Sequence, residues 1–154
     1  MAELKILILE DDLIIAESIR LNLALLGYHS LPPVTTKLEA LAQLQNESPD
    51  FAILDINIDG QMEGIEVGEF IHSQMNIPFM YLTGNSDRDS IDKAGKTHPK
   101  AYLVKPFSTH DLHSAIQLAI SNFNILQGNE KISEVNGLPG STFIKVGNRY
   151  VKEQ

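Results

Sequence analysis

Cysteine is absent from the 154 residues. Without a thiol, disulfide frameworks, thiolate nucleophiles and cysteine-held zinc are all excluded, and a reducing compartment is compatible. Cations are scarce: 12 Lys and Arg stand against 20 Asp and Glu for a net charge of -8, and they form no cluster. A nucleic-acid backbone is bound through grouped cations, so the bulk of this chain is not such a surface. Long apolar runs are missing too, and residues 1–9 lack the charged and apolar regions of a secretory signal. A membrane span needs about 20 consecutive apolar residues. The expected location is therefore cytoplasmic, with no membrane partner. What remains is an ordinary folded composition, 43% hydrophobic and 21% charged, in a length that fits one compact domain plus some tail.

Two patterns alternate along the chain: short β-branched apolar runs, and longer stretches with apolar residues at helical spacing. Ile6-Leu7-Ile8-Leu9 predicts a strand covered on both faces, and it ends at Glu10-Asp11-Asp12. Asp12 is expected to cap or start the helix whose face is Ile15, Ile19, Leu23 and Leu26, stopped by Gly27. The run from His29 to Val34 contains Pro32 and Pro33, which cannot donate to a ladder, so it belongs at a sheet edge. A helix through Leu38, Leu41, Ala42 and Leu44 leads to the strand Phe51-Ala52-Ile53-Leu54, which ends at Asp55.

After Gly60 and Gly64 comes a helix through Phe70 and Met75, then the strand Pro78 to Leu82 ending at Thr83-Gly84. A weak polar helix over Asp87 to Ala94 precedes the strand Ala101-Tyr102-Leu103-Val104, which ends at Lys105-Pro106. Ser108 or Thr109 can cap a last helix carrying Leu112, Ile116, Ala119, Ile120 and Phe123. Strands alternating with helices predict an α/β fold, a parallel sheet wound by right-handed crossovers, with its ligand crevice beyond the carboxyl ends of the strands.

That rule collects Glu10, Asp11, Asp55, Thr83 and Lys105 at one edge. Each alone reads as a helix cap or a loop residue; together they form a constellation. Crowded carboxylates raise one another's pKa unless a cation neutralises them, and a hard divalent ion with oxygen ligands, best Mg2+, suits them. Lys105 and Thr83 supply an ammonium and a hydroxyl, which with a metal suffice around a carboxylate nucleophile for phosphoryl transfer. Asp55 is the best presented acid.

The strings Leu7 to Asp12, Ile53 to Asn57, Tyr81 to Gly84 and Tyr102 to Phe107 resemble, in order and spacing, the receiver domains of two-component response regulators. The resemblance covers about residues 3–124 and implies a (βα)5 doubly wound, flavodoxin-like sheet of five parallel strands in the order 2-1-3-4-5. It further implies that Glu10, Asp11, Asp55 and the backbone carbonyl of Asn57 hold Mg2+, and that Asp55 accepts phosphoryl from a phosphohistidine. By the same resemblance Thr83 and Lys105 take the phosphoryl oxygens, and the peptide bond before Pro106 is cis. Such a protein is a signalling phosphoacceptor that catalyses only its own phosphorylation and dephosphorylation.

The implied switch has Thr83 moving toward the phosphoryl group and Tyr102 turning inward, which remodels the surface of the fourth helix, fifth strand and fifth helix. That surface is the expected interface with a partner or a second copy, and the phosphoryl donor is a sensor histidine kinase or a phosphotransfer protein. One departure lies between Asp55 and Glu63-Gly64: the loop Ile-Asn-Ile-Asp-Gly-Gln-Met lacks the proline that many members have and is one residue longer. His110 and His113 lie three apart on a helix without a third ligand, and read as exposed helical histidines.

The receiver is expected over residues 1–126, with a linker over 127–140 holding three glycines and a proline. Residues 141–154 alternate like a hairpin around Gly147-Asn148 and are similar to the opening strands of a LytTR-type DNA-binding domain. They read either as the start of a truncated output domain, which alone would bring DNA as a partner, or as a disordered tail. The rival functions are a stand-alone phosphoryl shuttle and a phosphatase of the haloacid-dehalogenase class. The latter would resemble Asp-x-Asp on the first strand with further acids after the lysine, whereas here the metal acids precede Asp55 and no acid pair follows Lys105 at a strand end.

Overall fold

A computed structural model describes residues 4–84, 88–127, 143–146 and 149–152. The chain forms β1 (Lys5–Leu9), α1 (Leu13–Leu25), β2 (His29–Ser30), α2 (Lys37–Glu47), β3 (Phe51–Asp55), α3 (Glu63–Gln74), β4 (Phe79–Thr83), α4 (Arg88–Gly95), β5 (Ala101–Val104) and α5 (Thr109–Gln127). β1 to β5 make one parallel sheet in the order β2-β1-β3-β4-β5, as the resemblance implies. A separate antiparallel pair, β6 (Phe143–Val146) and β7 (Arg149–Lys152), follows. It falls within the expected hairpin, whose Gly147-Asn148 turn lies outside the described residues, as does most of the expected linker. Among the described residues, no helix is long and apolar enough to cross a membrane.

Two apolar layers cover the sheet, which is why its central strands read as continuous hydrophobic runs rather than alternating ones. Ile6, Ile8, Phe51, Ile53, Met80 and Leu82 pack with α1 and α5 through Ile19, Leu23, Leu112 and Ile116. The alternate residues, Leu7, Leu9, Ala52, Leu54, Phe79 and Tyr81, face Ala40, Leu44, Val67, Ile71 and Ala94 of α2, α3 and α4. At β5 this symmetry fails: Ala101 and Leu103 are buried, while Tyr102 and Val104 face outward on the α4 side.

The edge strand shows how the prolines are accommodated. Leu31 N–H donates to the Ile6 carbonyl (2.8 Å) and Val34 N–H to that of Ile8 (2.9 Å), so Pro32 and Pro33 fall between ladder bonds. Caps match their chemistry as well. Asp12 accepts from the N–H groups of Ile14 and Ile15, and Ser108 and Asp111 exchange bonds at the start of α5.

The phase of α2 differs from expectation. Its buried positions are Ala40 and Leu44, with Leu41 beside them, whereas Leu38 is 78% exposed and Ala42 also faces water. At 100° per residue Leu38 and Ala42 lie about 200° from Ala40, on the far side of the helix. Apolar spacing identified the helix, but the small Ala40 rather than the larger Leu38 approaches the sheet.

A close contact ties α3 to β4. A Cβ at Gly68 would stand 1.9 Å from the Tyr81 hydroxyl, and that hydroxyl shares a 2.6 Å bond with Thr97 Oγ1, which also donates to the Ala94 carbonyl. Gly68→Ala is expected to destabilise the domain by about 1–3 kcal/mol through overpacking. In a Tyr81→Phe background the same change should cost at least about 0.5 kcal/mol less. Urea unfolding of the four members of this cycle measures both quantities; additive costs would contradict the contact.

Candidate functional site

Four strands deliver polar side chains to one edge of an otherwise apolar sheet. Glu10 and Asp11 follow β1, Asp55 and Thr83 are the last residues of β3 and β4, and Lys105 follows β5. The strand order turns between β1 and β3, so their carboxyl ends open a crevice where ligands of such sheets bind. The register places Asp55 beside Leu82, Thr83 beside Val104, and the Lys105 N–H on the Thr83 carbonyl at 2.8 Å. The Lys105–Pro106 peptide bond is cis.

Glu10, Asp11 and Asp55 converge, each offering a carboxylate oxygen within 4.8 Å of the others. Among the described residues this is the one such group of metal-ligating side chains. His110 and His113 belong to no such group. Glu10 is 1% exposed and Asp55 and Thr83 are buried, while Asp11 reaches solvent. Lys105 Nζ donates to Asp55 Oδ2 at 2.8 Å and stands 2.9 Å from Glu10 Oε2. Three carboxylates against one ammonium leave two negative charges uncompensated when all are ionised.

Backbone donors hold the acids in place. Asn57 N–H donates to Asp55 Oδ1 (3.2 Å), Asp12 N–H to Glu10 Oε1 (3.2 Å) and Asp59 N–H to Asp11 Oδ2 (2.7 Å). Gly64 closes in from α3: a Cβ there would stand 1.7 Å from the Asp55 carbonyl oxygen. Any side chain at position 64 would push the strand that presents Asp55.

The electrostatics follow from this crowding. Burial pushes the Glu10 carboxyl up to about 7, a shift that Lys105 opposes and Asp55 reinforces. Burial would lower the Lys105 ammonium, yet Asp55 and Glu10 together hold it above the ordinary lysine value. Glu10 Oε2 is buried and faces the Lys105 ammonium, 2.9 Å away, as an ion pair. An all-oxygen, net-negative site in which three carboxylates share one ammonium fits a hard divalent cation.

Two features escaped the sequence reading. The longer loop after β3 closes as a two-residue turn at Asp59-Gly60, bonded from Ile58 to Gln61 in both directions. The Asp-Gly pair is the usual signature of such a turn and could have revealed it. The outer face of α1 carries Leu13, Ile14, Leu21 and Leu25 exposed. Helical periodicity found only the inner face, because apolar residues on both sides blur the signal.

Comparisons with known proteins agree with this geometry. Residues 6–117 match the family described as response regulator receiver domain. The chain is 34% identical over 119 residues to the transcriptional regulatory protein PdtaR of Mycobacterium tuberculosis, covering 77% of this chain and 58% of that one. It is 31% identical over 150 residues to the uncharacterized transcriptional regulatory protein YrkP of Bacillus subtilis, covering 97% and 61%. Thus the chain spans about three fifths of the length of these relatives. Among solved structures, the signal receiver domain of a modulated diguanylate cyclase from Desulfovibrio desulfuricans superposes with a TM-score of 0.73 at 29% identity, over 80% of this chain and 98% of that one. A CheY-like response regulator receiver domain protein from Methanospirillum hungatei does so with a TM-score of 0.72 at 26% identity, over 80% and 98%. With four strand-end motifs gathered at one edge of a 2-1-3-4-5 sheet, the chain belongs to the response regulator receiver domain family.

Proposed function

We propose that Asp55 accepts a phosphoryl group from a phosphohistidine, assisted by Mg2+ held by Glu10, Asp11, Asp55 and the backbone carbonyl of Asn57. The observation that carries this is Lys105 Nζ standing 2.8 Å from Asp55 and 2.9 Å from Glu10 at the mouth of a three-carboxylate cluster. When bound, the metal neutralises charge on the carboxylates and on the transferring phosphoryl oxygens. An Asp55 carboxylate oxygen forms the new bond to phosphorus as the phosphorus–nitrogen bond of the donor breaks, and the histidine ring leaves with the bonding pair. Lys105 exchanges part of its contact with the carboxylates for a phosphoryl oxygen, and the Thr83 hydroxyl donates to another.

The donor is a sensor histidine kinase or a phosphotransfer protein in the cytoplasm. A groove of about 480 Å³ lies between Ile14, Ile15 and Ser18 of α1 and Lys105, Pro106 and Phe107, and its Lys105 contacts Asp55. With the exposed Leu13, Ile14 and Leu21, it offers an apolar seat for the protein that donates the phosphoryl group.

Readout runs through the face where β5 is poorly covered. Tyr102 is 39% exposed and pairs with Tyr81, their rings 6.0 Å apart. Alternation puts Thr83 on this same face. A shift of Thr83 toward the phosphoryl group leaves room that Tyr102 enters, remodelling the α4, β5 and α5 surface used by a homodimer or an output unit. The receiver spans residues 1–126 and the linker 127–140; residues 141–154 open an output unit of LytTR type that acts on DNA in the longer protein. The match to YrkP, which extends over 97% of the chain, supports a continuing unit.

Incubation with Mg2+ and acetyl phosphate should add one phosphoryl group by intact mass, and neither Asp55→Ala nor excess EDTA should permit it. Modification of the Asp55→Ala protein would overturn the assignment. Lys105→Ala is expected to phosphorylate on the order of 100-fold more slowly. Tyr102→Ala should phosphorylate at the normal rate but lose phosphorylation-dependent self-association in analytical ultracentrifugation; an unchanged response would remove Tyr102 from the switch.

A further inference from the structure

Of the three clustered acids, Asp11 is the one that burial does not hold. Glu10 and Asp55 are enclosed and meet Lys105, whereas Asp11 is exposed at the end of β1. Among the described residues, the donor recorded at its carboxylate is the Asp59 N–H, 2.7 Å from Oδ2 and 48 positions along the chain. A carboxylate has two oxygens, so this bond leaves Oδ1 for a cation.

The donor belongs to a tightly defined element. Ile58 N–H donates to the Gln61 carbonyl at 2.7 Å and Gln61 N–H to that of Ile58 at 3.0 Å, around Asp59 at φ 53° and Gly60 at φ 79°. Both central residues are left-handed, as a type I′ turn requires, and glycine adopts this without strain. A Cβ at Gly60 would meet nothing, so glycine is required by the backbone angle and not by space. Ile58, 2% exposed, anchors the turn in the core beneath α2 and α3.

We infer that the Asp59-Gly60 turn positions Asp11 for metal binding, its Asp59 N–H taking the place that burial and Lys105 fill for the other two acids. The inference rests on the Mg2+ reading above. A neutral donor bonded to a carboxylate ligand restricts its rotation without competing for the ion, and loss of such an outer partner commonly weakens metal affinity by 10- to 100-fold. Asp59 thus acts through Asp11 and through its main chain; its own carboxylate is not required.

Calorimetric titration of the full chain with Mg2+ alone tests this. Proline cannot adopt φ near +79°, so Gly60→Pro should open the turn and weaken Mg2+ binding by about 10-fold or more. Asp59→Asn keeps the N–H and yields the favoured Asn-Gly pair, so it should lose far less affinity than Gly60→Pro. Absence of saturable Mg2+ binding by the unaltered protein would overturn the Mg2+ reading itself. If that protein binds and Gly60→Pro binds as tightly, only the positioning role falls; it falls also if Asp59→Asn loses affinity as Gly60→Pro does. Amide hydrogen exchange gives a measure independent of whether Gly60→Pro folds. The Asp59 N–H should be protected in the unaltered protein and exchange at least about 10-fold faster in Asp11→Ala, and equal rates would overturn the inference.

Discussion

One ammonium group stands between two buried carboxylates, and the design of the site depends on that contact. Lys105 cannot reach Glu10 and Asp55 unless the carboxyl ends of β1, β3 and β5 are held within a side chain's length of one another. Burying charge is costly, and removing one partner of a buried pair leaves the other uncompensated. Here the pairing is incomplete by construction: a third acid, Asp11, joins the cluster, and burial pushes Glu10 toward neutrality. The domain keeps an excess of negative charge at this edge of the sheet, a charge pattern that suits a divalent cation.

The scaffold makes that deficit tolerable. Two apolar layers, one under α1 and α5 and the other under α2, α3 and α4, clamp the strands on both faces. Local devices refine the positions: the bare backbone of Gly64 against the Asp55 carbonyl, the N–H of Asn57 on Asp55, and the Asp59 turn on Asp11. On the α4 side of β5 the layer thins, and there Tyr102 sits half out of the structure. A rigid centre with one weakly covered margin suits a molecule in which a local charge change is read at a distance.

Much of this was legible in the chain. The runs ending at Glu10, Asp55, Thr83 and Lys105 announced strands, and their alternation with helices announced a parallel sheet, so the edge that gathers these residues followed. Pro32 and Pro33 placed β2 at the margin for want of N–H donors. The inward face of α2 was less legible. Leu38 looks like a core residue by type, yet the sheet admits Ala40, since packing selects the position that approaches closely and not the most hydrophobic one. The outward apolar stripe of α1 was hidden for the reverse reason: hydrophobicity on two sides of a helix leaves no clean period.

The sequence by itself determined what is local or periodic: the elements, their order, the acids and the lysine at the strand ends, and the cap at Asp12. These depend on residue type and spacing along the chain, which carry the same information before and after folding. Only tertiary structure decided which donor meets which acid, how deeply each group is buried, and where a helix turns its face. The 2.7 Å bond from Asp59 to Asp11 is of this kind, because it joins residues 48 positions apart. No pattern within either segment encodes that distance; it arises when separate loops are brought to the same edge of one sheet.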